Sequence, residues 1–495
     1  MNLSKDALKV LESRYLKRDR TGKLVEKPEE LFKRVSECVA NAENLFKNST
    51  KDNYWENKFY NLLSSLDFLP NSPTLMNAGN PRGQLSACFA IPVEDSLEDI
   101  FEAVKKMALI QRTGGGTGFS FSKLRPKNSV VKTTGGRSSG PVSFMAIFNT
   151  ATEHIKQGGK RRGANIGILR VDHPDIKEFI TAKKKEDQFN NFNLSVGITD
   201  TFVKALKKNA NYDLIDPANN KVSGKIKAKE VFNLIAETAW ACGDPGLLFL
   251  DRINANHPLR SLGEIESTNP CGELPLLPYE SCNLGSINLS HMFDQNNQID
   301  WEKLKSTIHT AIRFLDNVIE VNKYPFREIE TITKNNRKIG LGVMGFAEML
   351  LKLEISYNSQ KAIKTAGDIM SFIRKESLNA SKQLATERGV FPSWNKSSHA
   401  RYKRKIRNAT LCSIAPTGTI SIIANTTSGI EPLFALAYKR KNVLDGQDLF
   451  EVNSQFLEYI KRKGINEKKL INKLLESGSI ETIKMLSKRA KSVLS

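Results

Sequence analysis

The chain reads as an α/β protein with a helical N-terminal region, and three observations carry that reading. Between Pro28 and about Ser64 the apolar residues Leu31, Phe32, Val35, Val39 and Ala42 recur at helical spacing among charges. Beyond Asp175, β-like pieces (193–198 and 246–250) alternate with helical ones (229–242, 301–321 and 360–387), the pattern of largely parallel strands joined by helices. The composition, 40% hydrophobic and 26% charged residues over 495 positions, is that of a globular chain with room for two or three domains or one large α/β unit. It excludes collagen-like, coiled-coil and disordered descriptions.

Taken in order, the N-terminal helices end at Phe68-Leu69-Pro70-Asn71-Ser72-Pro73, a turn-forming cluster that marks a domain boundary. Ser96 to Asp99 has the spacing of a capping box, so a helix follows with Leu97, Ile100, Phe101, Val104 and Met107 on its apolar face. Glycines crowd the stretch 112–167, where the backbone is either pliant or in close contact with something. From Asp448 onward the sequence is Lys-rich and helical in pattern. These shifts divide the chain into a helical N-terminal domain (1–80), a central α/β domain (81–440) and a helical C-terminal segment (441–495).

Lys plus Arg (74) exceed Asp plus Glu (53) by 21, an excess that favours phosphate-bearing ligands, polymeric or small. No apolar run is long enough to cross a bilayer, and Met1 to Asp6 leads straight into charged sequence, so a cytoplasmic protein is expected. Six scattered cysteines are too few to staple such a chain and should act as thiols. The histidines and acids show no metal-site spacing.

The segment 269–289 concentrates the chemistry. Three prolines within nine residues forbid a helix, and in an extended chain Asn269, Cys271 and Glu273 share one face: an amide, a thiol and a carboxylate. A plain Pro-rich surface loop is the competing reading. Further on, the apolar run 411–415 leads into Pro416-Thr417-Gly418-Thr419-Ile420-Ser421 and then a helix start, which is either a capped turn or an anion site without the Gly-Lys-Ser/Thr ending of a Walker loop. Cys88 and Cys282, on the residues alone, read as buried apolar cysteines. Lys160-Arg161-Arg162 reads equally as a solvated basic turn.

The run 269–289 resembles the finger loop of ribonucleotide reductase large subunits, whose motif is Asn-x-Cys-x-Glu. The segments 68–77, Ser86-Ala87-Cys88-Phe89, Asn335-Asn336-Arg337-Lys338-Ile339-Gly340-Leu341-Gly342 and 416–421 resemble further family segments in the family's order. The texture is most similar to the adenosylcobalamin-dependent class. The resemblance implies a ten-stranded α/β barrel, carrying the effector loops and the finger loop within 81–440, and reduction of ribonucleotides to 2′-deoxyribonucleotides. It also implies a thiyl radical on Cys271, Glu273 as general base, Asn269 orienting the ribose hydroxyls, and Cys88 with Cys282 as the redox pair. Ser86, on the face of Cys88 if that strand is extended, and the loop Pro416, Thr417, Gly418, Thr419, Ile420 and Ser421 would hold the substrate. Asp95, Ser96, Leu97 and Arg125, with Lys156, Gln157 and Arg161, would bind a deoxynucleotide or ATP effector. A homodimer, adenosylcobalamin and a thioredoxin-like reductant follow from the same resemblance.

Class members usually continue further, so an incomplete barrel, finished by a second polypeptide or left inactive, is expected, without the C-terminal cysteine pair and the ATP cone. The metal-radical class is the alternative within the family. Outside it, the stretch Lys396 to Arg407 raises a nucleic-acid-binding protein as a rival, although the basic residues are spread over the whole chain.

Overall fold

The computed structural model describes residues 3–46, 53–81, 83–131, 135–155, 163–184, 188–433, 436–444, 447–452, 454–462 and 464–466, with isolated residues beyond. Eight strands among the described residues form one sheet: β1 (Phe68–Pro70), β2 (Cys88–Ala90), β3 (Gly116–Ser120), β4 (Asn165–Arg170), β5 (Phe192–Ile198), β6 (Gly246–Phe249), β7 (Ser281–Asn288) and β8 (Ile339–Met344). Strands β2 to β6 run parallel in sequence order, joined by helices that include Leu97–Gln111, Pro141–His154 and Ala228–Cys242. Strand β7 pairs parallel with β8 along one edge and antiparallel with β1 and β2 along the other. Two oppositely directed parallel sets therefore meet where β7 meets β2, as in the expected barrel.

Local chemistry fixes the helix ends. Ser96 caps Leu97–Gln111 by accepting from the Asp99 N–H, Asp300 caps Trp301–Val321, and Ser359 caps Gln360–Arg388. The face of Leu97–Gln111 differs from expectation: Ile100, Ala103, Met107 and Ile110 are buried, whereas Leu97 and Phe101 are 60% and 54% exposed. The i, i+4 spacing of those two places them on the outer side. The helices Lys5–Arg14, Pro28–Ala40 and Tyr54–Ser64 have no separate core, since Leu11, Phe32, Val35 and Phe59 share one apolar cluster with Ile287, Phe314 and Val343.

The C-terminal segment departs from the all-helical expectation. Ala437–Leu444 and Gln447–Val452 pair as an antiparallel hairpin before the helix Ser454–Arg462. No helix among the described residues is long and apolar enough to cross a membrane.

A second short hairpin, Ser267–Thr268 with Pro275–Leu276, lies against β2 and β3. It approaches so closely that a Cβ on Gly118 would overlap the Thr268 carbonyl, and a Cβ on Gly116 would come within 2.8 Å of the Pro270 ring. The Asn193 amide donates to the Pro270 carbonyl at 2.8 Å from β5. Glycine in β3 is thus a steric requirement of the hairpin's seat.

Behind the sheet a buried charge cluster ties distant segments together. Asp316, fully buried on Trp301–Val321, accepts from Arg337 (2.7 and 3.0 Å), Arg388 (3.0 Å) and Asn408 (2.9 Å). Arg388 also reaches Glu43 at 2.6 Å, and Arg407 lies 3.5 Å from Asp316 and 3.4 Å from Glu320. Burial alone would raise the Asp316 carboxyl, but Arg337, Arg407 and Arg388 outweigh it and hold the group at about 2. Arg407, the last residue of the basic stretch 396–407, therefore serves the interior, whereas Lys396, Arg401, Lys403, Arg404 and Lys405 are exposed.

Two outcomes follow. Gly118→Ala forces the hairpin off β3 and lowers stability by ~2 kcal/mol or more, measured by denaturant unfolding with hydrogen exchange at 268–276 to locate the loss. Asp316→Asn removes the buried negative charge shared by Arg337, Arg388 and Arg407, leaving Glu43 and Glu320 to balance them, and costs ~3–5 kcal/mol at neutral pH. Because the folded-state value is depressed, this carboxylate's contribution is full above the unfolded value near 4 and fades as pH falls toward about 2, so the variant's acid-unfolding limb is flatter over that window.

Candidate active site

The residues between the strands of the second hairpin form a turn, not the extended run expected. Pro270 occupies its second position, the Gly272 N–H donates to the Asn269 carbonyl at 2.9 Å, and Gly272 has φ +82°. Asn269, Cys271 and Glu273 nevertheless converge, by a different route from strand alternation. The Asn269 side-chain oxygen accepts from the Leu274 N–H at 2.9 Å, while its Nδ2 donates to Glu273 Oε2 at 2.5 Å. The amide is buried, and Cys271, at the turn's outer corner, is exposed.

These three residues line a cavity of about 250 Å³ together with Cys88 and the run Pro416 to Ile420. Residues not singled out from the sequence complete the wall: Asn71 and Ser72, Gly114 to Gly116, Leu284 to Ser286, and Ala415. Asn71 was read as a turn residue within the family-like run 68–77, with no site role assigned to it. In the structure its Oδ1 accepts from the Thr74 N–H at 3.0 Å and starts the helix Ser72–Asn77 at the cavity edge. The glycines were visible as a cluster, but which of them face a ligand space depends on strand pairing across the sheet.

Cys88 and Cys282 occupy directly paired positions of β2 and β7 and are 3% and 1% exposed. Opposed residues of adjacent antiparallel strands have Cα atoms about 4.5–5.5 Å apart, within disulfide range. The two thiols are not equivalent: Cys88 lines the cavity, whereas Cys282 is buried and not among the lining residues, its Sγ 3.2 Å from the Asn283 carbonyl and 3.5 Å from that of Lys338. Burial pushes the Cys282 thiol well above the ordinary thiol range.

Ser86 departs from its expected place on the face of Cys88. Its hydroxyl accepts from Asn322 Nδ2 at 2.9 Å and lies 3.3 Å from the Ser281 hydroxyl, because the regular strand begins only at Cys88. The run 411–415 lies extended beside β8 through the Leu341–Cys412 bridge and delivers the loop 416–421 to the cavity. In that loop Thr417 has φ +54°, its hydroxyl accepts from the Gly429 N–H at 2.7 Å, and Ser421 is buried in the following turn of helix.

Asp95 and Arg125 form an ion pair at 2.7 Å, and the Arg125 N–H also donates to Asp95 at 3.1 Å. Ser96 donates to Asp99 at 2.6 Å, and Leu97 points outward. Lys156, Gln157 and Arg161 lie outside the described residues.

With this geometry in view, the chain was compared with known proteins. The model for the ribonucleotide reductase barrel domain matches residues 86–494, and that for the ribonucleotide reductase all-alpha domain matches residues 1–83. A vitamin B12-dependent ribonucleoside-diphosphate reductase of Thermoplasma acidophilum is 49% identical, aligned over 98% of this chain and 70% of its own length. The protein of the same description from Mycobacterium tuberculosis is 46% identical over 97% of the chain and 69% of its own length. A ribonucleoside-diphosphate reductase subunit alpha of Chlamydia muridarum is 30% identical over 96% of the chain and 52% of its own length. The chain belongs to the ribonucleotide reductase large-subunit family.

Proposed function

We propose that this chain reduces ribonucleotides to 2′-deoxyribonucleotides at the cavity between the 269–274 turn and the loop 416–421, with adenosylcobalamin as radical source. The observation that carries the reading is the convergence of three thiol-bearing positions on one cavity: Cys271 on its exposed rim, Cys88 in its wall and Cys282 paired with Cys88. The relatives described as vitamin B12-dependent support the cofactor. The chain's own residues fit such a group at Cys271, the cysteine that a bulky molecule can approach from outside while the other two are shielded. Adenosylcobalamin, when bound, supplies the oxidising equivalent that turns the Cys271 thiol into a thiyl radical.

The protein's part then follows from placement. Thr417 to Ile420 hold the substrate phosphates: the loop faces the cavity, Gly418 presents open space where a side chain would stand, and the Gly418 and Thr419 N–H groups have no partner among the described residues. Asn269 orients the ribose hydroxyls and is itself held by the Leu274 N–H. The Cys271 radical removes the 3′-hydrogen while Glu273, within hydrogen-bond reach of Asn269, takes the 3′-hydroxyl proton. Cys88, facing the cavity, protonates the departing 2′-hydroxyl, which leaves as water. Cys88 and Cys282 give up two electrons as their disulfide forms, the hydrogen of the second thiol takes the place of the 2′-hydroxyl at C2′, Glu273 returns its proton to the 3′-oxygen, and Cys271 returns the 3′-hydrogen.

Asp95, Ser96, Leu97 and Arg125 are read as the described part of an effector nucleotide site. Outward-facing Leu97 and Phe101 support a helix that meets a second copy of the chain, and a thioredoxin-like dithiol would restore the cysteine pair.

Cys271→Ala is expected to abolish deoxynucleotide formation while leaving ribonucleotide binding intact. Glu273→Gln is expected to lower kcat by roughly 100-fold with a small change in KM. Both are checked by chromatographic product assay with adenosylcobalamin and dithiothreitol, alongside equilibrium dialysis of the ribonucleotide.

A further inference from the structure

Lys338, whose carbonyl lies 3.5 Å from Cys282 Sγ, belongs to an ion pair that the mechanism above does not use. Lys338 and Glu280, 3% and 1% exposed, meet at 2.5 Å. Glu280 is a hub: the same carboxylate accepts from the Leu277 N–H at 2.7 Å and from Asn336 Nδ2 at 2.6 Å. Its own carbonyl accepts from the Ala90 N–H at 3.1 Å, so it also ties the start of β7 to β2 beside the paired cysteines. Lys338 stands just before β8, and its carbonyl lies 3.5 Å from Cys282 Sγ. Its ammonium donates in addition to His257 Nε2 at 3.5 Å. His257 is buried with no partner for Nδ1, and burial, with Lys338 and Arg260 nearby, lowers it to about 3, so it is a neutral acceptor.

A buried ammonium is costly and needs a reason beyond packing. We propose that Lys338, held by Glu280 and His257, is a positioning residue that stabilises Cys282 as the leaving thiolate when the Cys88–Cys282 disulfide is reopened. The inference rests on the reading of these two cysteines as the redox pair. The asymmetry of the pair sets the direction. An external dithiol reaches Cys88 through the cavity, and its thiolate bonds to Cys88 Sγ as the S–S bond breaks. The electron pair goes to Cys282 Sγ, which then takes up a proton. The dithiol's second thiolate displaces the mixed disulfide, so the dithiol leaves oxidised and both cysteines are reduced. Of the charges acting on Cys282, Lys338 favours the thiolate most, against Glu280 and Glu273.

The test uses the full chain with the Cys88–Cys282 disulfide formed by turnover and confirmed by peptide mass spectrometry. The rate of its opening by dithiothreitol is then followed from pH 6 to 9. Lys338→Met is expected to slow opening on the order of tenfold across that range, with the pH profile still following ionisation of the attacking dithiothreitol thiol, because exchange is slower with a more basic leaving thiol. Lys338→Arg, which keeps the charge, is expected to restore most of the rate and to control for folding. Opening of Lys338→Met at the wild-type rate across that range overturns the inference while leaving the redox pair in place. Arg failing to rescue, with both variants folded by circular dichroism, also overturns it. If no Cys88–Cys282 disulfide forms on turnover, the underlying reading and this inference fall together.

Discussion

The Thr268 carbonyl lies where a side chain on Gly118 would project, and that close approach lets a hairpin run against the strands of the sheet. Everything at the site depends on it. The hairpin carries Asn269, Cys271 and Glu273 on a turn whose shape Pro270 and Gly272 dictate, and it can present them to the cavity only if β3 lacks side chains beneath it. The same logic recurs at β8, where a Cβ on Gly342 would meet the Ser413 carbonyl, so that the segment leading to the loop 416–421 can lie flat beside the strand. Two backbone-on-backbone contacts thus set the two functional loops on opposite walls of one cavity.

The second constraint is the seam at which β7 meets β2. Antiparallel pairing there puts Cys282 opposite Cys88, although the residues are far apart in sequence, and the parallel pairing of β7 with β8 brings Lys338 alongside. A cavity-facing sulfur and a buried one, joined across a strand pair, is an arrangement in which electrons can pass to substrate from one side while the charge left behind is managed from the other. The Asp316 cluster holds this seam from outside, linking Glu43, the helix Trp301–Val321, Arg337 and Arg388, with Arg407 packed against it.

Much of this was legible in the sequence because it is local. The helix cap at Ser96, the exclusion of helix by the prolines of 270–278 and the strand–helix alternation all depend on residues within a few positions of one another. The motif Asn269, Cys271, Glu273 was readable by resemblance, although the shared face inferred from an extended chain was the wrong geometry for a correct grouping. What escaped was non-local. Ser86 turns toward Asn322, Leu97 and Phe101 face outward, and Glu280 pairs with Lys338 only because the fold brings separate segments together. The antiparallel pairing of Ala437–Leu444 with Gln447–Val452 also escaped, because the Lys-rich sequence beyond Asp448 reads as helical.

The central claim is that one ribonucleotide is reduced at the expense of the thiols of Cys88 and Cys282. The direct measurement is a single-turnover experiment on pre-reduced protein with ribonucleotide and adenosylcobalamin and no external reductant, counting deoxynucleotide against peptides mapped by mass spectrometry. One Cys88–Cys282 disulfide is expected for each deoxynucleotide formed. Deoxynucleotide appearing while both thiols remain reduced, or a disulfide that forms equally without substrate, would contradict it.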